Sequence, residues 1–294
     1  MYLEHFRLRE MPFAITPGVA FAFASRAHQE ALNTLLVSVQ SGEGFVKITG
    51  EVGTGKTILC RRFLDILQRR GIVTAYIPNP AMAPRSLLQA FAEELGMFET
   101  SGLDEHTLLG NINKTLVQVA ARGCSVVLCL DEAQAMPRDT LEAVRLLSNL
   151  ETSRSKLLQL VMFGQPELDR QLGEHSLRQL QQRITFEYEM SGMNLRELDR
   201  YVAHRLAVAG HVGSDLFSAA AIDRLHQASR GVPRLVNILC HKSLMIVFGE
   251  GGTLVSPRHV RAAAADTTAA RQPGYMPLWL KQPGVWTSSL GWGR

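Results

Sequence analysis

Residues 45–64 read FVKITGEVGTGKTILCRRFL. A half-apolar run stops at Gly50, glycines recur at 53 and 55, and an apolar-periodic stretch begins at Ile58. Gly50-x-x-x-x-Gly55-Lys56-Thr57 is the spacing of a phosphate-binding loop set between a strand and a helix. Phosphate oxygens need several N–H donors aimed at one point. That demands positive φ angles and no Cβ in the way, which Gly50, Gly53 and Gly55 supply. The following helix adds its unpaired N–H groups and the positive end of its dipole. Lys56 is placed to reach β- and γ-phosphates, and the Thr57 hydroxyl suits Mg²⁺. The expected nucleotide-binding residues are therefore Gly50, Glu51, Val52, Gly53, Thr54, Gly55, Lys56, Thr57 and Ile58, with ATP and Mg as cofactors. An ordinary glycine-rich turn is the competing reading.

The second chemical signal is SVVLCLDEAQ, an apolar run that ends in Asp131-Glu132. A buried strand has no need of carboxylates at its tip. Beside a phosphate loop, Asp131 is expected to hold Mg²⁺, directly or through water. Glu132 is expected to polarise the water that attacks the γ-phosphate, and Gln134 to help place that water. A solvated turn with Asp as a helix cap is the plainer alternative. Arg234 follows Pro233 in the first turn of a helix, at the end where a cation costs roughly 0.3–1 kcal/mol. A nucleotide phosphate would compensate it; an exposed arginine that tolerates the cost is the other reading. Arg178 and Arg183 close a helical stretch before a strand, a favourable place for cations on stability grounds alone.

These residues need positioning elements. Short runs rich in β-branched or aromatic residues read as strands at 45–49, 72–77, 125–130, 158–163 and 184–189. Helical periodicity lies between them at 27–40, 57–70, 84–96, 105–122, 139–151 and 174–183. Alternating strands and helices imply an α/β fold with a parallel sheet covered on both faces. After Met190 only helices follow, at 194–209, 215–229, 233–248 and 256–265. The expected organisation is a core over 1–190, with 1–26 as its N-terminal linker, a helical lid over 191–268, and an irregular tail over 269–294. The tail holds Trp279, Trp286 and Trp292 among Pro and Gly. It is read either as a disordered end or as a docking element.

The bulk properties narrow the classes. Of 294 residues, 31 are basic and 27 acidic, for a net charge of +4. So small an excess permits nucleic acid or anionic lipid as a partner without arguing for either. Cys60, Cys124, Cys129 and Cys240 form no Cys-x-x-Cys pair and sit in apolar segments, as free thiols in a reducing compartment do. The charged N-terminus has no apolar signal-peptide stretch, and no apolar run approaches the ~20 residues that span a bilayer. The expected location is cytoplasmic, with any membrane association peripheral.

Taken together, MYLEHFRLREMPFAITP, SGEGFVKITGEVGTGKT, AYIPNP, VVLCLDEAQAMP, LLSNLE, QLVMFGQPELDRQLG, LRQLQQRITFEY and GVPRLVNILCHKSLM resemble the AAA+ ATPases of the secretion-pathway protein A type. Within that family the likeness is nearest to the ATPases of mannose-sensitive haemagglutinin (MSHA) type IV pilus biogenesis. The resemblance covers residues 1 to about 266. It implies a five-stranded P-loop AAA+ core with an all-helical lid, Walker A at Gly50–Thr57 and Walker B at Asp131 and Glu132. It also implies a first sensor at Gln165, a second at Arg234, and an arginine finger at Arg183 with Arg178 the alternative. Secretion-type relatives continue into a membrane helix and a periplasmic peptidoglycan-binding domain; cell-wall binding is not carried over. The function expected is an ATP-hydrolysing motor or switch, a homo-hexamer by family analogy, that works with envelope pilus or secretion assembly proteins at the inner membrane. The rival expectation is a DNA-associated ATPase of the transposition-regulator type, and a third is a nucleotide-bound scaffold with negligible turnover, against which Glu132 argues.

Overall fold

The computed structural model describes residues 2–15, 21–42, 44–97, 100, 102–151 and 156–271. Five strands form one parallel sheet: β1 (Phe45–Gly50), β2 (Val73–Ile77), β3 (Val126–Leu130), β4 (Leu158–Gly164) and β5 (Phe186–Met190), in the order β2-β3-β4-β1-β5. Every residue of β1, β3 and β4 is buried, whereas edge strands β2 and β5 keep partly exposed positions. Strands buried on both faces read as continuous apolar runs, and this is why VVLCL and LQLVMF show no alternation.

The helices before β5 are α1 (Tyr2–His5), α2 (Arg26–Ser41), α3 (Lys56–Arg69), α4 (Pro84–Glu94), α5 (Glu105–Ala121), α6 (Arg138–Leu147), α7 (Glu167–Leu172) and α8 (Arg178–Gln181). Side-chain alternation on the strands splits the interior in two. Val46, Ile48, Val127, Cys129, Val161 and Phe163 pack with Leu35 of α2 and Phe63 of α3. Phe45, Leu128, Leu160 and Met162 face Phe91 of α4, Ile112 of α5 and Val144 of α6. The helices after β5 are α9 (Leu195–Val208), α10 (Ala219–Ser229), α11 (Pro233–Gly249), α12 (Pro257–Ala265) and α13 (Thr268–Arg271). They share a third apolar cluster that includes Leu198, Leu225, Val236 and Leu239.

The structure departs from the sequence expectations in several places. The stretch 174–183 is a tight turn at His175–Leu177 followed by the four residues of α8. Arg178 therefore opens a helix rather than closing one. The helix expected to 151 stops at Leu147, and the Ser148 carbonyl beyond it accepts from Arg183 Nη1 at 3.1 Å. Residues 269–271, assigned to the tail, belong to α13. Trp279, Trp286 and Trp292 lie outside the described residues.

The N-terminal segment, counted with the core by sequence, packs on the helical unit instead. Tyr2, Phe6, Leu8, Phe13 and Phe21 sit in the same cluster as the α9–α12 side chains. Arg205 of α9 fastens it. This arginine is 2% exposed. Its Nε donates to the Pro12 carbonyl at 2.6 Å, Nη2 to the Ala14 carbonyl at 3.1 Å and Nη1 to the Tyr201 hydroxyl at 3.2 Å. Its guanidinium lies 4.8 Å from the centre of the Phe21 ring. A buried cation is tolerable only when its donors are satisfied, and here backbone carbonyls satisfy them.

Replacing Arg205 with Ala strands the Pro12 and Ala14 carbonyls and opens a cavity. Losses of this kind run to about 3 kcal/mol or more. The expected result is a lower melting temperature and earlier protease cutting among residues 1–23. A variant with wild-type melting and wild-type proteolysis would show that this arginine does not hold the segment.

Candidate functional site

In a parallel sheet all strands end on the same side, and β4 is bonded to both β1 and β3. The loops that follow these three strands therefore meet at one edge. The loop after β1 turns back on itself through Thr54, whose Oγ1 donates to the Glu51 carbonyl at 2.8 Å. Gly53 (φ 87°) and Gly55 (φ 95°) take the left-handed backbone conformation, as the cradle geometry requires. Gly50 does not; it is needed for room, because a Cβ there would lie 2.9 Å from the Met190 Cβ of β5. Val52 and Ile58 are exposed at the rim, while Thr57 is half-buried in the first turn of α3.

Lys56 opens α3 and is 5% exposed. Its Nζ donates to the carbonyls of Gly50 at 2.7 Å and Glu51 at 3.2 Å. Burial pushes its pKa down, opposed by the carboxylates of Glu132, Asp131, Glu51 and Glu167. The lysine thus lies folded into the loop with the acidic tip of β3 in electrostatic reach.

Asp131 is 2% exposed. One carboxylate oxygen accepts from the Glu132 N–H at 3.0 Å and the other from the Tyr76 hydroxyl at 3.3 Å. Burial, with Asp131 beside it, pushes the Tyr76 pKa up to about 12. Glu132 itself holds a left-handed backbone conformation (φ 54°, ψ 39°), rare for a residue with a Cβ. Its Oε2 accepts from Gln134 Nε2 at 2.6 Å and from Gln165 Nε2 at 3.2 Å. Gln165 is the first residue after β4, and this bond ties its side chain to Glu132.

Arg234 also arrives at the loop. The first turn of α11 rests on Gly53: the Arg234 N–H donates to the Gly53 carbonyl at 3.3 Å, and a Cβ on Gly53 would lie 2.4 Å from the Arg234 Cβ. Its side chain is exposed. Arg183 and Arg178 are placed elsewhere. Arg183 is half-buried against the Ser148 carbonyl, and Arg178 is exposed on α8.

One contact had no clear sequence signal. His28, in the first turn of α2, presses on the loop so closely that a Cβ on Gly55 would lie 2.5 Å from its Nε2. Its Nδ1 is 2.7 Å from the Ser25 hydroxyl, which also caps α2. The Ser25-x-x-His28 spacing marks a helix start but not what the ring touches. Burial pushes the His28 pKa down, with Arg62 adding to that effect, while the Gly55 backbone and Glu197 oppose it.

A glycine cradle at one strand tip, a paired acid at the next but one, and a sheet in this order are the marks of a P-loop core. Residues 39–172 match the family model described as AAA domain, and the chain carries a P-loop AAA core of five parallel strands with a helical region after it. The chain is 38% identical to general secretion pathway protein A of Aeromonas hydrophila over 294 residues, which is 99% of this chain and 53% of that protein. It thus spans about half the length of this curated relative. Among solved structures it is similar to Cdc6p of Pyrobaculum aerophilum (TM-score 0.64, 16% identity, 86% of this chain and 70% of that one). It is similar to a chain of Drosophila ORC bound to DNA (TM-score 0.63, 18% identity, 90% and 66%). The RuvB Holliday junction branch migration motor of Thermotoga maritima matches at TM-score 0.52 with 16% identity, over 83% and 69%. At such identities these structures speak for the fold.

The buried His28 carries a pH prediction. Its native pKa lies below the unfolded value of ~6.5. Between the two values the unfolded chain holds a proton that the native chain lacks. Stability therefore rises with pH across that window and is lost as pH falls below about 6.5. His28→Gln should flatten this acid limb in melting curves measured at pH 5–7. Equal slopes for variant and wild type would mean that His28 is not protonated on unfolding.

Proposed function

We propose that the chain is an ATP-hydrolysing AAA+ motor or switch that assists assembly of an envelope secretion or type IV pilus machine, MSHA-type pili being the narrower reading. The observation that carries the ATPase reading is the convergence of Lys56, Asp131, Glu132, Gln165 and Arg234 on one glycine cradle. The machine reading rests on 38% identity across 99% of this chain to a secretion-pathway protein, against 18% to the Drosophila ORC chain bound to DNA and 16% to the RuvB Holliday junction branch migration motor.

The roles follow from position. The loop N–H groups and the α3 N-terminus receive the phosphates, and Lys56 exchanges its carbonyl partners for phosphate oxygens. Thr57 and Asp131 are the chain's candidates to hold Mg²⁺, which would neutralise charge between the phosphates. Among the described residues no three His, Cys, Asp or Glu side chains are grouped to hold a metal. The Thr57 hydroxyl with one Asp131 carboxylate would suit Mg²⁺, which keeps waters and takes phosphate oxygens. Glu132 orients and deprotonates the attacking water. Gln165 and Arg234 read the phosphates from the core and the lid. A neighbouring copy supplies Arg183, or Arg178, to the transition state within a homo-oligomeric ring. No helix among the described residues is long and apolar enough to cross a membrane; the proposed setting is the cytoplasmic face of the inner membrane.

Two measurements test this reading. Lys56→Ala should lose binding of a fluorescent ATP analogue, and Glu132→Gln should keep binding while phosphate release falls by about 10²–10⁴. Binding by the Lys56 variant at wild-type strength would refute the phosphate loop.

The ring is tested by mixing. Arg183→Ala should bind ATP and lose most turnover, about 10³-fold or more if it is the trans finger. Adding the Lys56→Ala variant should restore part of it, because one subunit then offers a finger and the other a pocket. Normal turnover in Arg183→Ala with loss in Arg178→Ala would transfer the role. Full activity in both, from a monomer, would refute a shared site.

A further inference from the structure

The turn after β3 holds more than the two acids. Gln134 lies in the short turn Ala133–Ala135, and its side-chain amide is used at both ends. The Gln165 N–H donates to Gln134 Oε1 at 3.0 Å, and Gln134 Nε2 donates to Glu132 Oε2 at 2.6 Å. The backbone N–H can only donate, so the Gln134 atom facing it must be the oxygen. This fixes the other end as the NH₂ group and removes the usual ambiguity of an amide flip. Gln165 Nε2 adds a second donor to the same Glu132 oxygen at 3.2 Å. Both donors therefore load Oε2, and Oε1 is the oxygen left with its lone pairs for a proton.

The clamp has its own support. Gln171 of α7 donates from Nε2 to the Gln134 carbonyl at 3.1 Å, which pins the turn. Asp169 on the same helix accepts from Lys47 Nζ of β1 at 2.5 Å, and that lysine, 9% exposed, is also 2.9 Å from Glu187 of β5. The helix that follows Gln165 is thus tied to the sheet at one point and to the acidic turn at another. Glu132 meanwhile sits in a left-handed backbone conformation, which is strained for a residue with a Cβ and needs neighbours to hold it.

Resting on the proposed role of Glu132, we infer that Gln134 is a positioning residue that sets the orientation of the Glu132 carboxylate and joins it to the β4 tip. Its part is not to touch the attacking water. It presents one carboxylate oxygen to that water by occupying the other, and it couples this orientation to the residue after β4. A base rotated away from its proton loses efficiency without any loss of substrate binding.

Gln134→Glu separates this from a purely structural role. The new carboxylate keeps the length and still accepts from the Gln165 N–H, but it no longer donates to Glu132. The expected result is a fall in kcat of about 10–100-fold, KM and ATP-analogue affinity within about 2-fold of wild type, and little change in melting temperature. Gln134→Ala should lose kcat to a similar extent. In a Glu132→Gln background neither change should lower the rate further, since residues acting as one unit are not additive. Near-wild-type kcat in Gln134→Glu, with Gln134→Ala impaired, would overturn the inference and leave Gln134 as a brace for the β4 loop. So would a further fall on the Glu132→Gln background. If Glu132→Gln itself hydrolyses ATP like wild type, the proposed base is wrong, and this inference falls with it. If Glu132→Gln is inactive while Gln134→Glu is active, only the inference falls.

Discussion

A Cβ on Gly53 would stand 2.4 Å from the Cβ of Arg234. No pair of side chains tolerates that distance, so the helical unit can lie on the phosphate loop only because residue 53 has none. The same glycine needs its φ of 87° to turn the loop. One position therefore answers two demands, the curvature of the cradle and the approach of α11. A second close crossing sets where α11 begins. A Cβ on Gly231 would fall 2.0 Å from the Met193 carbonyl, and the Met193 N–H donates to the Gly231 carbonyl at 2.9 Å. The chain leaving β5 thus passes directly under the turn that starts α11, and these backbone contacts help set how the arginine reaches the loop.

The N-terminal segment gives the helical unit a reason to stay there. It packs into that unit's core, fastened by Arg205, and then runs into α2, which lies on the sheet. The chain therefore joins the two bodies twice, once before α2 and once after β5. Glu197 links the two joints. Its carboxylate caps α9 by accepting from the Asn194 N–H at 3.0 Å and accepts from the Arg26 N–H, the first residue of α2, at 2.8 Å. Movement of the helical unit would have to bend both connections together. His28, one turn into α2, is the side chain through which such a bend would press on Gly55.

Much of this was legible in the sequence, and what was legible shares a property. The glycine spacing, the acids closing an apolar strand and the alternation of strand and helix are all local, within about twenty residues of chain. They placed all five strands to within about two residues and picked out Lys56, Asp131 and Glu132; Arg234 stood out only by its place in a helix's first turn, with an exposed arginine left open as the other reading. What escaped joins segments far apart in sequence. Nothing near Arg205 announces Pro12, and nothing near His28 announces Gly55. The short α8 escaped for a different reason: LRQLQQ has helical composition, but a tight turn precedes it and β5 follows almost at once, so the sheet fixed its length. Arg178 changed from the end of a helix to its start on that account.

The resting arrangement of charge at the cradle explains why its parts must act together. Lys56 is buried, and burial disfavours its charge; the carboxylates of Glu132, Asp131, Glu51 and Glu167 favour it. Those acids that steady the lysine would repel an incoming phosphate in a site so little exposed to water. The loop answers with N–H groups and a helix N-terminus, which carry no countercharge to neutralise. A divalent cation near Asp131 would remove the remaining conflict by turning the acid from a repulsive neighbour into a ligand. Removing any one of these groups therefore changes the balance for the others. The lysine already bonds two carbonyls within the loop, so on the proposed reading it would need only to exchange partners were a phosphate to enter.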